Sequence, residues 1–223
     1  MSVSVIIPTL NEAENIGAVV EAVRRARPAE VIVVDGGSTD ATAQIARQAG
    51  ATVVISPRGR GAQQRVGAEH ARGEELLFLH ADTKLPANYP DVVAQILSRP
   101  HVAGGAFRFK LDGPGARFRW IERLVAWRCR MFELPYGDQA IFVRADVLRS
   151  IGGYPALPIM EDYELVRRLK KVGSIEVAES AAVTSARRWR RLGALNAAVT
   201  NMGCVVAYKL GVSAETIARR RRT

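Results

Sequence analysis

Cysteine is scarce in this chain. The 223 residues include two, Cys129 and Cys204, with no CxxC spacing. Neither a disulfide framework nor a zinc site is therefore expected, and a reducing, cytoplasmic setting is. Histidine is limited to three positions, and none follows His101, so no histidine-rich metal cluster is expected late in the chain. No long apolar run exists either: the weakly polar stretch 192–212 is interrupted by Asn196, Asn201 and Lys209, whereas a membrane-spanning helix needs about 20 mostly apolar residues. The start, MSVSVIIPTLNE, lacks a basic leader and a small-residue cleavage site, so no secretory signal is expected. Repeats and low-complexity linkers are missing too. Acidic residues are outnumbered 22 to 32 by Lys and Arg, which leaves a net charge of +10 and a pI near 10.3. That balance favours phosphorylated ligands, polyanions or an anionic membrane surface. No RNA-binding aromatic motif or zinc knuckle accompanies it, so nucleic acid is not expected as a partner.

What is present is an alternation of strand and helix signals. Apolar runs at 3–7, 31–35, 52–55 and 76–79 are separated by helical patterns at 12–27, 41–49 and 62–71. Strands apolar at nearly every position, with helices between them, predict a largely parallel sheet covered on both faces, an α/β fold. Ligands bind such a sheet outside the carboxyl ends of its strands. The second half differs in texture. A strand at 103–111 is expected to leave the doubly wound part, followed by a helix at 116–132 with five arginines and two tryptophans. A short strand at 140–143 and a helix at 161–171 come next, then helices at 189–210 and 214–221. One domain is expected over 1–223, its texture dividing it into 1–100, 101–185 and a basic helical extension, 186–223.

Polar residues at three strand ends, Thr9 to Glu12, Asp35 to Asp40 and His80 to Thr83, sit where that rule directs attention, and two of them carry acidic constellations; a third constellation opens a helix. In VIVVDGGSTD, Asp35 ends a buried strand on a glycine turn. Its carboxylate can accept a hydrogen bond from the ring N–H of uracil, thymine or guanine, or it can satisfy its own turn. In FLHADT, Asp82 follows another strand and is suited to a hard divalent cation whose other ligands are phosphate oxygens. His80, on the same face, is open to ligating the ion, touching a sugar or closing the turn. In PIMEDYELVRRL, Glu161 and Asp162 open an amphipathic helix whose Leu165, Val166 and Leu169 should face the core. Carboxylates there serve the helix dipole, or supply a rigidly mounted base beside a cleft.

PTLNE, VVDGGSTD, LFLHADT and IGGYPALPIMEDYELVRRLKKVG, in this order over about residues 3–185, resemble the family-2 glycosyltransferases, whose sugar-nucleotide-binding fold is called GT-A. The resemblance is nearest to small bacterial members with HADT in place of Asp-x-Asp, a subset linked to arsenosugar biosynthesis. It implies an inverting transfer from a UDP-, dTDP- or GDP-linked sugar to an acceptor hydroxyl, assisted by Mg²⁺ or Mn²⁺. Pro8, Thr9, Asn11 and Glu12 correspond to the first nucleotide-contacting loop, and Asp35, with Gly37 in its turn, to the base-reading carboxylate. Arg60, Gln63 and Arg65 belong to a segment similar to the one beneath the nucleotide. His80 and Ala81 precede Asp82, the last Asp of the metal motif, while Asp138 and Gln139 fall near donor phosphates and acceptor. Asp162 matches the catalytic base, with Glu161 beside it. His80, Gly36 and Arg65 depart from the family's usual Asp, Asp and Asn, and Arg187 or Arg188 is the expected substitute for a late metal-binding histidine in neutralising diphosphate.

Two other classes share some of these features. A sugar-nucleotide pyrophosphorylase would use a similar sheet and metal, but normally opens with a glycine-rich basic loop where this chain has PTLNEAEN. A catalytically silent nucleotide- or glycan-binding module would need only the positive surface. At the C-terminus, Arg187, Arg188, Arg190 and Arg191 around Trp189, and Arg219 to Arg222, suit solvated charge or peripheral docking on anionic lipid. Leu192, Leu195, Val199, Met202, Val206 and Leu210 recur at helical spacing, the pattern of a core or homodimer contact.

Overall fold

The computed structural model describes residues 2–187 and 194–221. The chain begins β1 (Val3–Thr9), α1 (Ala13–Arg25), β2 (Glu30–Asp35), α2 (Thr42–Gln48), β3 (Thr52–Ile55), α3 (Arg60–His70) and β4 (Glu75–Phe78). Next come β5 (Thr83–Lys84), α4 (Tyr89–Leu97), β6 (Val102–Leu111), α5 (Ala116–Phe132) and a 3₁₀ turn (Gly137–Gln139). The remainder is β7 (Phe142–Arg144), α6 (Ala145–Ser150), α7 (Glu161–Leu169), β8 (Ser174–Thr184), α8 (Ala194–Lys209) and α9 (Ala214–Arg220).

One eight-stranded sheet in the order β3-β2-β1-β4-β7-β6-β8-β5 runs through both halves. β1 pairs in parallel with β2 and β4, and β2 with β3. β7 is antiparallel to both its neighbours, β4 and β6. The strand at 103–111, expected to leave the doubly wound part, lies beyond the parallel β3-β2-β1-β4 block yet stays in the same sheet: β7 bridges β6 to β4, and β6 pairs onward in parallel with β8.

Alternate side chains of the buried strands feed opposite cores. Val5, Ile7 and Leu77 pack with Ile16 and Val20 of α1 and Val93 of α4. Ile6, Ile32, Val34 and Phe78 face the other way, onto Leu165, Val166 and Leu169 of α7. Each such side chain contributes about 1.5–3 kcal/mol when fully buried. The continuous apolar character of the strands thus reflects burial on both faces.

A third cluster attaches the C-terminal helices. Val205, Ala214 and Ile217 close on Ile159, Met160 and Tyr163 at the start of α7. Met202, Val206 and Leu210 do not join a core: all three are exposed. They lie on the side of α8 away from this cluster, so of the two expectations for the stripe, core or homodimer contact, the core does not hold for these three residues. Leu192 and the side chains of Leu195 and Val199 fall outside the described residues, as do Arg188, Trp189, Arg190, Arg191 and Arg222.

Candidate active site

Parallel pairing brings strand ends together. Thr9 lies opposite Asp35 in the β1–β2 register, and β4 runs beside β1 and delivers His80 to Asp82 to the same edge. Gln63 of α3 joins the first two ends, its Nε2 donating to the Thr9 carbonyl (2.7 Å) and the Val34 carbonyl (2.8 Å). A cavity of about 500 Å³ opens at this edge, within the range of small-molecule sites.

Eleven of the anticipated residues line that cavity: Pro8, Thr9 and Glu12 after β1, Arg60 and Gln63 on α3, His80, Ala81 and Asp82 after β4, Asp138, and Glu161 and Asp162 on α7. Asn11, Asp35, Gly37, Arg65 and Gln139 are not in its lining. Asn11, in left-handed backbone at φ 55°, accepts the Thr39 N–H at 2.9 Å and so ties the first loop to the second. The Asp35 carboxylate, 3% exposed, accepts the Ser38 N–H at 3.1 Å and the Ser38 hydroxyl. Gly37 completes that turn at φ +88°. Arg65 pairs with Glu69 at 3.1 Å on the exposed side of α3, because its place in the helical turn points away from the face carrying Gln63 and Gln64. Gln139 is buried and structural: its Nε2 donates to the Phe107 carbonyl (3.0 Å) and its Oε1 accepts from Arg128 (3.2 Å).

The start of α7 concentrates charge. Met160 precedes it in left-handed backbone, at φ 66°, a conformation that is unfavourable for a non-glycine residue and clusters at functional sites. Glu161 is 2% exposed and accepts from Arg60 Nε at 2.5 Å. Burial pushes the Glu161 carboxyl above its ordinary range and Asp162 acts in the same direction, while Arg60 opposes them. Asp162 accepts the Gly137 N–H on Oδ2 (2.8 Å) and the Tyr163 N–H on Oδ1 (2.7 Å), which fixes the carboxylate at the cavity wall. Gly137 leaves no spare room there: a Cβ on it would lie 3.1 Å from His80 Nε2 and 3.4 Å from Asp162 Oδ2.

Opposite, burial raises the Asp82 carboxyl, and the nearby Arg187 guanidinium together with hydrogen bonds from Thr83 and Thr184 draws it back down. Arg187 also lies 3.8 Å from Glu12 Oε2, which places this cation between two carboxylates of the cavity. The described residues contain no cluster of three His, Cys, Asp or Glu able to hold a metal alone. A single carboxylate fits Mg²⁺ or Mn²⁺ where the ligand brings phosphate oxygens, because such ions usually retain water and substrate ligands. Asp82 meets that requirement.

Several lining residues were not anticipated from sequence. Tyr136, Arg58 and Ser185 flank the strand ends, and Asn201, Cys204, Val205 and Arg221 come from the C-terminal helices. Arg221, one of the terminal arginines read as solvated or lipid-facing, thus belongs to the cavity wall.

Comparison with known proteins places this geometry. The family model described as Glycosyl transferase family 2 matches residues 4–148. The uncharacterized glycosyltransferase Rv0539 of Mycobacterium tuberculosis is 32% identical over 169 residues, 69% of this chain and 75% of that protein. Glycosyltransferase AglJ of Haloferax volcanii is 38% identical over 122 residues, 53% of this chain and 40% of the relative. Among solved structures, glucosyl-3-phosphoglycerate synthase from Mycobacterium tuberculosis, in complex with Mn²⁺, UDP and glucosyl-3-phosphoglycerate, superposes with a TM-score of 0.66. Its identity is 21%, over 95% of this chain and 80% of that one. S. aureus TarS 1-349 with UDP-GlcNAc gives a TM-score of 0.64 at 21% identity, over 84% of this chain and 59% of the TarS chain. The fold is the GT-A fold that the motifs implied.

Proposed function

We propose, for a chain that belongs to glycosyl transferase family 2, an inverting transfer of a sugar from a nucleoside diphosphate to an acceptor hydroxyl. The observation that carries this reading is the placement of Asp82 and Asp162, 80 positions apart in sequence, on one cavity at the strand ends. The donor's base lies toward the β1–β2 ends, where Asp35 keeps acceptor capacity beyond its two bonds from Ser38, since a carboxylate offers about four lone-pair sites. Its diphosphate faces Asp82 and Arg187. Asp162 accepts the acceptor's proton as the acceptor oxygen attacks the anomeric carbon from the face opposite the leaving group. Asp82, with the donor's own phosphate oxygens, would hold a divalent cation, which would supply positive charge to neutralise the departing diphosphate. Holding donor and acceptor in line lowers the barrier by about 7–11 kcal/mol.

UDP sugars are the first donors to test, because the glucosyl-3-phosphoglycerate synthase and TarS structures contain UDP and UDP-GlcNAc. The HADT subset with its arsenosugar link rests on residues 80–83 alone. The decisive experiment incubates the protein with UDP-, dTDP- and GDP-sugars and Mn²⁺ or Mg²⁺, following release of nucleoside diphosphate and the thermal shift each donor produces. Release with a stabilising donor is expected. A donor that stabilises the fold without any turnover, across hydroxyl acceptors and water, would favour the silent binding module instead, and formation of nucleoside triphosphate from pyrophosphate would favour a pyrophosphorylase.

A further inference from the structure

Helix α5 is apolar on two sides. Its inner positions Phe118, Ile121 and Cys129 are buried, as a surface helix requires. Trp120, Leu124, Trp127 and Met131, at steps of four, three and four, form a second stripe whose members are 50–62% exposed, and Phe132 at its end is 53% exposed. Soluble proteins seldom leave so large an apolar stripe uncovered unless it is an interaction surface.

The charges beside the stripe say what kind of surface would cover it. Helical spacing sets Arg117 on one flank and Arg123 and Arg130 on the other, and all three are exposed. Among the described residues none of them pairs with a carboxylate. The only acid in α5, Glu122, is turned inward, where it accepts the Leu111 N–H at 2.8 Å and pairs with Arg119 at 2.9 Å. α8 lies against α5, contains no Asp or Glu, and exposes Met202, Val206 and Leu210 around an apolar depression of about 520 Å³. No described helix is long and apolar enough to cross a membrane.

We propose that the outer face of α5, with α8 beside it, docks the protein onto an anionic phospholipid bilayer, with α5 lying in the plane of the interface. Trp rings favour the headgroup level, and an apolar stripe between basic flanks is the pattern of an interfacial helix. Charge argues against a second copy of this chain as the occupant. A two-fold contact through this face would bring the arginine flanks of the two copies, Arg117, Arg123 and Arg130 on each, against one another, on a protein already at +10. This docking surface does not depend on the transferase chemistry.

Flotation of the full chain with vesicles tests it, comparing phosphatidylcholine alone with phosphatidylcholine mixed with phosphatidylglycerol. The protein is expected to float with the anionic vesicles only, less so as salt rises, with its tryptophan emission moving to shorter wavelength. A Trp120→Ala/Trp127→Ala double variant and an Arg123→Gln/Arg130→Gln double variant should each lose partitioning by more than about tenfold. The parental melting temperature should be retained in both, since the changed side chains are exposed. Full recovery in the soluble fraction with anionic vesicles would overturn the proposal. So would binding that survives both α5 variants and is lost only with Arg219→Gln/Arg220→Gln. Light scattering that shows a dimer dispersed by the tryptophan variant, with no vesicle binding, would assign the face to a second copy.

Discussion

The floor of the cavity and its α7 wall are held by different means. On the floor, the ends of β1, β2 and β4 are set by parallel ladders, and the neutral Gln63 amide bonds two of them together. On the wall, Glu161 is buried against Arg60, Asp162 hangs on two backbone N–H groups, and Met160 sits in left-handed backbone. Backbone pairing makes the floor insensitive to the loss of one side chain. The wall relies on charge held out of water, so it is the more vulnerable of the two and the better suited to chemistry.

The largest test of this contrast is Asp162→Asn, which is isosteric, removes the base proposed above and keeps an acceptor for one of the two backbone N–H groups. Transfer should fall about 10³-fold, while donor affinity by calorimetry stays within about threefold of the parent, a difference below 1 kcal/mol. Turnover at the parental rate would reduce the wall to a structural support. On the floor, Asp35→Ala should do the reverse. Removing a charged hydrogen-bond acceptor weakens donor binding by about 30-fold and leaves the rate at saturating donor nearly intact. A changed rate with unchanged affinity would erase the division of labour.

Arg60→Met tests the wall's stability. It strands the buried Glu161 charge and should destabilise the fold by about 2 kcal/mol, less than a fully enclosed pair because Arg60 is 44% exposed. Adding Glu161→Gln should recover part of that loss in a denaturant titration. The smallest effect concerns Glu164, on the same helix. Burial works against ionisation there, yet hydrogen bonds from Arg167 and Arg168 hold the carboxyl at about 2, below the ordinary 4.5. A lowered folded value means that the stabilisation is complete above pH 4.5 and is lost as pH falls toward 2. It amounts to about 1 kcal/mol once screening at the exposed arginines is allowed for. Acid unfolding of Glu164→Gln should lack that component.

The same contrast explains what the sequence disclosed. Strand ends of a parallel sheet must share an edge, so PTLNE and HADT could be assigned to one cavity before any coordinates. Leu165, Val166 and Leu169 were equally readable, since helical spacing dictates which side of α7 is buried, and all three are fully buried. Neighbourhood within a motif was a poorer guide. Arg65 is two residues from Gln63 but faces solvent, and Gln139 is one residue from Asp138 but has its amide engaged with Phe107 and Arg128. Asn201, Cys204 and Arg221 carried no local signal, because their position depends on Val205 and Ile217 packing against Ile159 and Met160. β8 was missed because register shifts against β6 break its alternation. α6, at six residues, is too short to show a period.

Gly137 sets the tolerance of the whole arrangement. One hydrogen atom occupies the gap where His80 from the strand-end side meets Asp162 from the helical side, and a methyl group would crowd His80 Nε2 at 3.1 Å while touching Asp162 Oδ2 at 3.4 Å. Any rearrangement that brings the two sides closer must therefore shift the 3₁₀ turn itself, so the turn acts as a spacer that fixes how far the cavity can narrow around its substrate.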